Sequence, residues 1–356
     1  MTKPSGLKTH WIEAFRWSND ADSDWVAILG AALGMAAPIL LGAALGDLET
    51  GFSLAIGGLM VGGIGAHSSF RAQFRTLIAA LFPTALAATV AVGVAGYGAS
   101  SDAAMVLLAG AAGLVAALGR PVTPMTMRFI LFLVVAVGVA EDMPNRLGLL
   151  MAMGAGALWS SAVNLTLGAV ARAAGFAGRD PTETPQASWR ERLKRWRHAL
   201  SRLAGWQFAL RLMLCLAIAG ALRFVWPAHH LHWVALTVAL LIEWQIDAFP
   251  VRTTQRAFGT ALGVLATGVL VIETPPAWAL VAGMAVLAGV RPLLRTRNYL
   301  AYSAVMTPLI ILILDAGQPI DVGLLIDRLI ATLIGAGLVV GVNILFQKLA
   351  GPKADV

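Results

Sequence analysis

The sequence predicts an all-α polytopic membrane protein of about twelve transmembrane helices, arranged as two parallel six-helix repeats that form a pseudo-dimer. Three observations predict it. First, 58% of the 356 residues are hydrophobic and 13% charged, with a mean hydropathy of +0.77, whereas a soluble domain carries roughly 25% charged residues. Second, apolar runs of about 17 to 25 residues, long enough to cross a bilayer, recur along the whole chain. Strand-type alternation is absent, which disfavours a barrel. Third, Lys and Arg collect on alternate loops: 23 of the 26 fall on one side of the predicted membrane.

The runs lie near 25–46, 51–66, 76–97, 102–118, 128–140 and 147–170, and again near 207–225, 231–248, 257–272, 276–290, 299–314 and 324–346. They divide the chain into an N-terminal segment (1–24), a first membrane repeat (25–170), a linker (171–206), a second membrane repeat (207–346) and a tail (347–356). Residues 1–24 hold Lys3, Lys8, Glu13, Arg16, Asp20, Asp22 and Asp24 ahead of the first run, the wrong order for a cleaved signal peptide. The side poor in Lys and Arg has only Arg146, Arg223 and Arg328 beside a set of acids that includes Asp102 and Glu141. The positive-inside rule therefore puts both termini in the cytoplasm. The net charge of +7 is then topology, and nucleic-acid binding is not expected.

The linker opens polar and Pro-containing at 179–188, then turns helical, with Trp189, Leu193, Trp196, Leu200 and Leu203 on one face among six basic residues. Such a helix lies in the headgroup layer. Leu7, Trp11 and Phe15 suggest a shorter version before the first run, so each half starts alike. Arg71 and Arg75 precede the third run at a spacing of four, as Arg252 and Arg256 precede the ninth. The fourth and tenth runs end in Arg120-Pro121 and Arg291-Pro292, and Asn164 and Asn343 sit in the last run of each half. Six runs per half give both halves one orientation, a parallel repeat about the membrane normal.

The chain is organised around 243–263, EWQIDAFPVRTTQRAFGTALG, where ionisable groups meet the edge of the hydrocarbon. Arg252, Arg256, Arg71, Arg75, Arg120 and Arg291 are the candidate carboxylate ligands, since a guanidinium pairs with a carboxylate through two parallel hydrogen bonds. The bland alternative is arginines snorkelling to lipid phosphate. Trp233, Trp244 and Thr260 are candidates for the apolar and polar walls. Glu243 and Asp247, at i, i+4 without counterparts in the first half, are the proton-coupling candidates; for Asp247 a solvated helix end or a salt bridge to an arginine is the alternative. Pro38, Pro83, Pro124 and Pro308 are expected to break helices. Thr307, Asn164 and Asn343 are read as helix-to-helix glue, and the 37 glycines as sites of close packing.

Arg256, Gly259, Thr260 and Gly263 opening a run, Tyr299 and Thr307-Pro308 in the eleventh, and Asp327-Arg328 followed by Gly335 in the twelfth resemble the fusaric acid resistance (FUSC) family, which includes the aromatic acid exporters. The chain looks like a compact form lacking the large soluble domain that larger exporters of the family carry between halves. Ile78 and Ala79 stand where the first half would repeat the Gly and Thr. The resemblance implies secondary export of organic anions, aromatic carboxylates first, across a bacterial inner membrane, often beside a periplasmic adaptor. Self-association is a further expectation. A passive organic-anion channel and a non-transporting membrane scaffold are the alternatives.

No enzyme is expected. The chain has no GxGxxG after a strand, no phosphate-cradling loop and no HExxH. Cofactors and a metal site are not expected: His229, His230 and His232 share a short loop without a helical i, i+4 pair, and the lone Cys215 sits in an apolar run.

Overall fold

The computed structural model describes residues 7–19, 24–119, 121–142, 145–176, 188–227, 229–246, 250–273, 276–314 and 322–349. Among them all regular structure is helical. α1 (Leu7–Phe15) precedes α2 (Trp25–Leu45), α3 (Leu48–Val61), α4 (Phe70–Val94), α5 (Ala99–Ala116), α6 (Thr123–Asp142) and α7 (Arg146–Ala173). After α8 (Trp189–Leu200) and a 3-10 turn at Leu203–Gly205 come α9 (Gln207–Val225), α10 (His232–Leu241), α11 (Val251–Glu273), α12 (Ala277–Arg297), α13 (Tyr299–Leu314) and α14 (Val322–Leu349).

By length and composition, eight of the described helices, α2, α4, α5, α6, α7, α9, α12 and α14, suffice to cross a bilayer. The protein is thus an all-helical membrane protein. α3, α10 and α13 are apolar but shorter. The shortness of α3 and α10 has a local cause. The predicted runs 51–66 and 231–248 are not single helices: α3 stops at Val61, before Gly63 at φ 89°, and α10 stops at Leu241, where Ile242 turns extended at ψ 122°. The prolines behave differently from expectation. α2, α4 and α13 run on through Pro38, Pro83 and Pro308, and Pro124 sits in the first turn of α6, where no intrahelical N–H is needed. The freed backbone thus lies after α3 and α10 instead.

Caps fix several starts. The Asp24 carboxylate accepts from the N–H groups of Val26 and Ala27 at the head of α2, and its second oxygen accepts from Ala66 N–H at 2.8 Å. Asp47 caps α3 through Thr50, whose hydrogen bonds hold its carboxyl below the usual carboxylate range. Ser188 and Glu191 form a capping box on α8. That helix buries none of its residues, and its Trp196 indole donates to Leu114 O at 2.8 Å.

The chain divides into two compact units, each drawing on three stretches: Met1–Leu81, Leu147–Asp180 and Val251–Leu329 in the first, and Phe82–Arg146, Pro181–Pro250 and Ile330–Val356 in the second. In the first unit α2 packs on α3 and α12, α11 on α13 and α1, and α13 on α12 and α3. Small residues let these backbones approach. Gly30 and Gly34 of α2 face Asn164 and Ser160 of α7, Gly57 faces Met153, and Gly259 and Gly263 of α11 face Ser303 and Thr307 of α13. In the second unit α5 packs on α6 and α9, and α10 on α6 and α9. There Gly110 and Gly113 face Met213 and Phe208, and Gly335 of α14 faces Val234 and Thr237 of α10.

Candidate functional site

α11 begins at Val251, directly after Pro250, and is strongly amphipathic. α1 packs against it. Gln255 donates to Ala14 O at 2.9 Å, His10 pairs with the Thr254 hydroxyl at 2.9 Å, and Trp11 and Phe15 meet Phe258 edge-on. Arg252 is exposed and stacks over the Tyr299 ring at 5.5 Å. Toward α13, the Ser303 hydroxyl donates to Arg256 O at 3.5 Å and the Thr307 hydroxyl to Ser303 O at 2.9 Å. Gly259 leaves space for this approach: a Cβ there would fall 2.6 Å from Ser303 Cβ.

One stripe of α11 is different. Thr253, Arg256 and Thr260, at i, i+3 and i+7, share a face. Arg256 is 1% exposed and Thr260 0%. Arg256 Nε and Nη2, Thr253 Oγ1 and Thr260 Oγ1 are all buried and have no hydrogen-bond partner among the described residues. Nε and Nη2 form one edge of the guanidinium fork, the edge that meets a carboxylate with two parallel hydrogen bonds. Leaving a buried guanidinium unsatisfied costs several kcal/mol, so an oxyanion placed there recovers a large penalty.

Two other buried arginines, Arg291 and Arg211, donate to named acceptors. Arg291 donates to Leu59 O at 3.2 Å and to Gly62 O at 2.8 Å, closing the end of α3. Arg211, fully buried in α9, donates to Asn343 Oδ1 at 2.7 Å and to Glu243 O and Trp244 O, each at 3.0 Å. It thereby ties α14 to the unwound stretch after α10. In the second unit Arg223 of α9 also bridges Asp102 of α5, at 3.0 Å, and Glu141 of α6.

Of the sequence candidates, Arg252, Arg256, Thr260, Arg291, Arg71 and Arg75 fall in the first unit. Arg252, Arg256 and Thr260 lie together on α11, whereas Arg71 and Arg75 are exposed at the start of α4. Trp233, Trp244 and Glu243 fall in the second unit. Trp233 is fully buried in α10, and Trp244 stacks on Phe208 at 5.1 Å. Glu243 is half-buried in the unwound stretch, where its carbonyl serves Arg211. Arg120 and Asp247 lie outside the described residues. Sequence reasoning passed over Thr253, Arg211 and the Asp102–Arg223–Glu141 triad. Arg211 had a visible signal, a charge four residues into an apolar run. Thr253 had none.

These features define a helical membrane protein with a buried guanidinium whose Nε and Nη2 have no hydrogen-bond partner among the described residues, an edge that can accept an oxyanion. Residues 212–342 match the family model described as fusaric acid resistance protein-like. The match takes in α11 with Arg256 and Thr260 and stops just short of both Arg211 and Asn343. No curated protein and no solved structure matches the chain.

Proposed function

We propose that this protein is a secondary efflux transporter that exports organic anions, aromatic carboxylates first, across the inner membrane under the proton or charge gradient. The observation that carries the reading is the Arg256 guanidinium, buried with its Nε and Nη2 edge unpaired beside two unpaired threonine hydroxyls. A carboxylate satisfies that edge, and Thr253 and Thr260 donate to its outer lone pairs. Arg252, exposed one turn earlier over Tyr299, is the receiving group at the mouth, with Arg71 and Arg75 adding to the positive field. The matched family, named for resistance to an organic acid, supports the same class of cargo.

We infer further that the chain is two copies of one six-helix pattern. Counting α2 to α7 and α9 to α14 as copies, the first unit pairs the first helix with the second (α2 with α3) and the second unit does the same (α10 with α9). Each unit also pairs a first helix with the fourth of the other copy, α2 with α12 and α9 with α5. Second helices meet fifth helices of the other copy in the same way, α3 with α13 and α10 with α6. A parallel repeat with both termini cytoplasmic accounts for the matching pairs.

The test is flux in proteoliposomes of purified protein, using radiolabelled benzoate and hydroxylated benzoates under an imposed pH gradient or voltage. Gradient-dependent accumulation is expected. Arg256→Gln should lower it about 10- to 100-fold, the loss of one charge-assisted bidentate pair. Flux that follows voltage alone and ignores the pH gradient would indicate an anion channel. No flux of any aromatic carboxylate, or full activity in Arg256→Gln, overturns the reading.

A further inference from the structure

α8, in the second unit, carries a charge pattern that binding of an anion at Arg256 does not use. Five of its twelve residues are Arg or Lys, and Glu191 is its one acid. That acid is spent within the helix: its carboxylate accepts from Ser188 N–H at 3.2 Å and meets Arg195 at 4.0 Å. Arg190, Lys194 and Arg197 stand at i, i+4 and i+7, so they form one stripe spanning about 10 Å of helix. All three are exposed, and among the described residues none of them pairs with an acid. Leu193, Trp196 and Leu200, on another face, are half-buried.

Contacts at two points fix the depth at which α8 sits. Its Trp196 indole donates to Leu114 O, in the last turn of α5, at 2.8 Å. Beyond Leu200 the chain bends tightly into α9: Gly205 N–H donates to Arg202 O at 3.0 Å and the Trp206 indole to Leu200 O at 2.9 Å. A Cβ on Gly205 would lie 2.2 Å from Ala199 O, so any side chain there would push the bend open. α5 and α9 are both long and apolar enough to cross a bilayer, and they pack on each other. α8 is therefore held where one spanning helix ends and the next begins, the level at which hydrocarbon gives way to headgroups. Three large apolar side chains are uncovered at this level, Trp189 at 59%, Leu203 at 74% and Trp206 at 38% exposure. Indoles favour that layer, with an apolar body and a polar N–H.

We infer that α8 is a docking surface for anionic phospholipid: Arg190, Lys194 and Arg197 bind headgroup phosphates of the surrounding leaflet, and Trp189, Leu203 and Trp206 are set into its interface. The charges are complementary, three cations without an acid against a surface of net negative lipid. Zwitterionic lipid lacks that net charge, so the surface discriminates by headgroup. A soluble polyanion would match the cations and leave the exposed indoles and leucine in water, whereas a leaflet matches both. Under the positive-inside topology this end of α5 lies in the cytoplasmic leaflet, whose anionic lipids attract basic segments. Bound lipid braces α8 against the ends of α5 and α9 and so steadies that pair. The inference is independent of which solute the protein moves.

The test reconstitutes the full-length protein in phosphatidylcholine vesicles doped with photoreactive phosphatidylglycerol, crosslinks it, and maps the adducts by peptide. Adducts are expected on 189–206. Each cation near an anionic surface contributes about a fivefold gain, so unlabelled phosphatidylglycerol should displace the probe about 100-fold better than phosphatidylcholine does. Replacing all three cations, Arg190→Gln with Lys194→Gln and Arg197→Gln, should abolish that preference. Arg190→Lys with Arg197→Lys should keep most of it, since an ammonium still binds phosphate as a point charge. Raising salt from about 0.1 M to 1 M, which shortens the screening length from about 10 Å to 3 Å, should weaken it. A second readout checks folding: in nanodiscs, the intact protein should unfold at a higher temperature with phosphatidylglycerol than with phosphatidylcholine alone, and the triple glutamine variant at the same temperature in both. Adducts confined to other segments, equal displacement by the two lipids, or a preference that survives the triple substitution overturns the assignment.

Discussion

At the residue scale, three buried arginines show how one side chain serves different ends. Arg211 and Arg291 spend their donors on backbone carbonyls that short helices leave behind, Glu243 and Trp244 after α10, Leu59 and Gly62 at the end of α3. Arg256 presents an unpaired edge instead. The difference predicts opposite effects on stability. Arg211→Gln should destabilise the ligand-free protein by about 2–3 kcal/mol, because Asn343 Oδ1 and two carbonyls lose their donor. Arg256→Gln should leave ligand-free stability unchanged or raise it, because a buried guanidinium with two unpartnered nitrogens is removed. Thermal unfolding in detergent reads both. Added benzoate at about 100 times its dissociation constant should then stabilise the intact protein by about 2.7 kcal/mol and Arg256→Gln far less. A large fall in ligand-free stability of Arg256→Gln would mean that the guanidinium is a structural group. Arg256 was legible in the sequence because Arg252 and Arg256 stand at i, i+4 beside acids where an apolar run opens, and Thr260 because it is a hydroxyl inside that run. Arg211 read as topology, since its task depends on where α10 stops.

At the element scale, the helices were legible from apolar runs, but two of their ends were not. Proline marks a break in water, yet α2, α4 and α13 pass through theirs, and the chain unwinds after α3 and α10, where buried arginines receive the freed carbonyls. Such a break belongs to the partner helix as much as to the local sequence. The α11–α13 contact illustrates the opposite case, since the small residues that make it are visible at a spacing of four, Gly259 with Gly263 and Ser303 with Thr307. A Cβ on Gly263 falls 2.6 Å from Thr307 Cβ, so Gly263→Val should cost about 1–3 kcal/mol by overpacking. Because the same helix carries Arg256 and Thr260, benzoate binding should weaken with it. Gly268→Ala is the control: its nearest neighbour is Leu325 Cδ1 at 3.6 Å, an ordinary contact, and helix propensity favours alanine by about 0.8–1 kcal/mol. Equal unfolding midpoints for Gly263→Val and the intact protein would show that α11 and α13 do not depend on close approach.

At the scale of the whole molecule, sequence order and compactness give different partitions. Composition and the Lys and Arg pattern predict two successive halves, because they read topology from loop charge. The compact units depend on which helices bury one another, which loop charge does not encode. The first unit takes α2, α3 and α7 from the N-terminal half and α11, α12 and α13 from the C-terminal half; the second takes α5 and α6 from the one and α9 and α10 from the other. Each unit therefore needs chain from both halves to bury its glycine-lined faces, α2 against α12 in one and α5 against α9 in the other. A cut in the linker tests this. Fragments 1–182 and 183–356, expressed separately, should fail to fold and be degraded, because each lacks the partners of its own first and fourth helices. Expressed together they should co-purify and unfold in a single transition, since the contacts that define the units do not require the covalent connection. Were either fragment recovered alone as a stable six-helix bundle, its first helix would have found a partner within its own half, and the pairing of α2 with α12 and of α5 with α9 would not be what holds the units together.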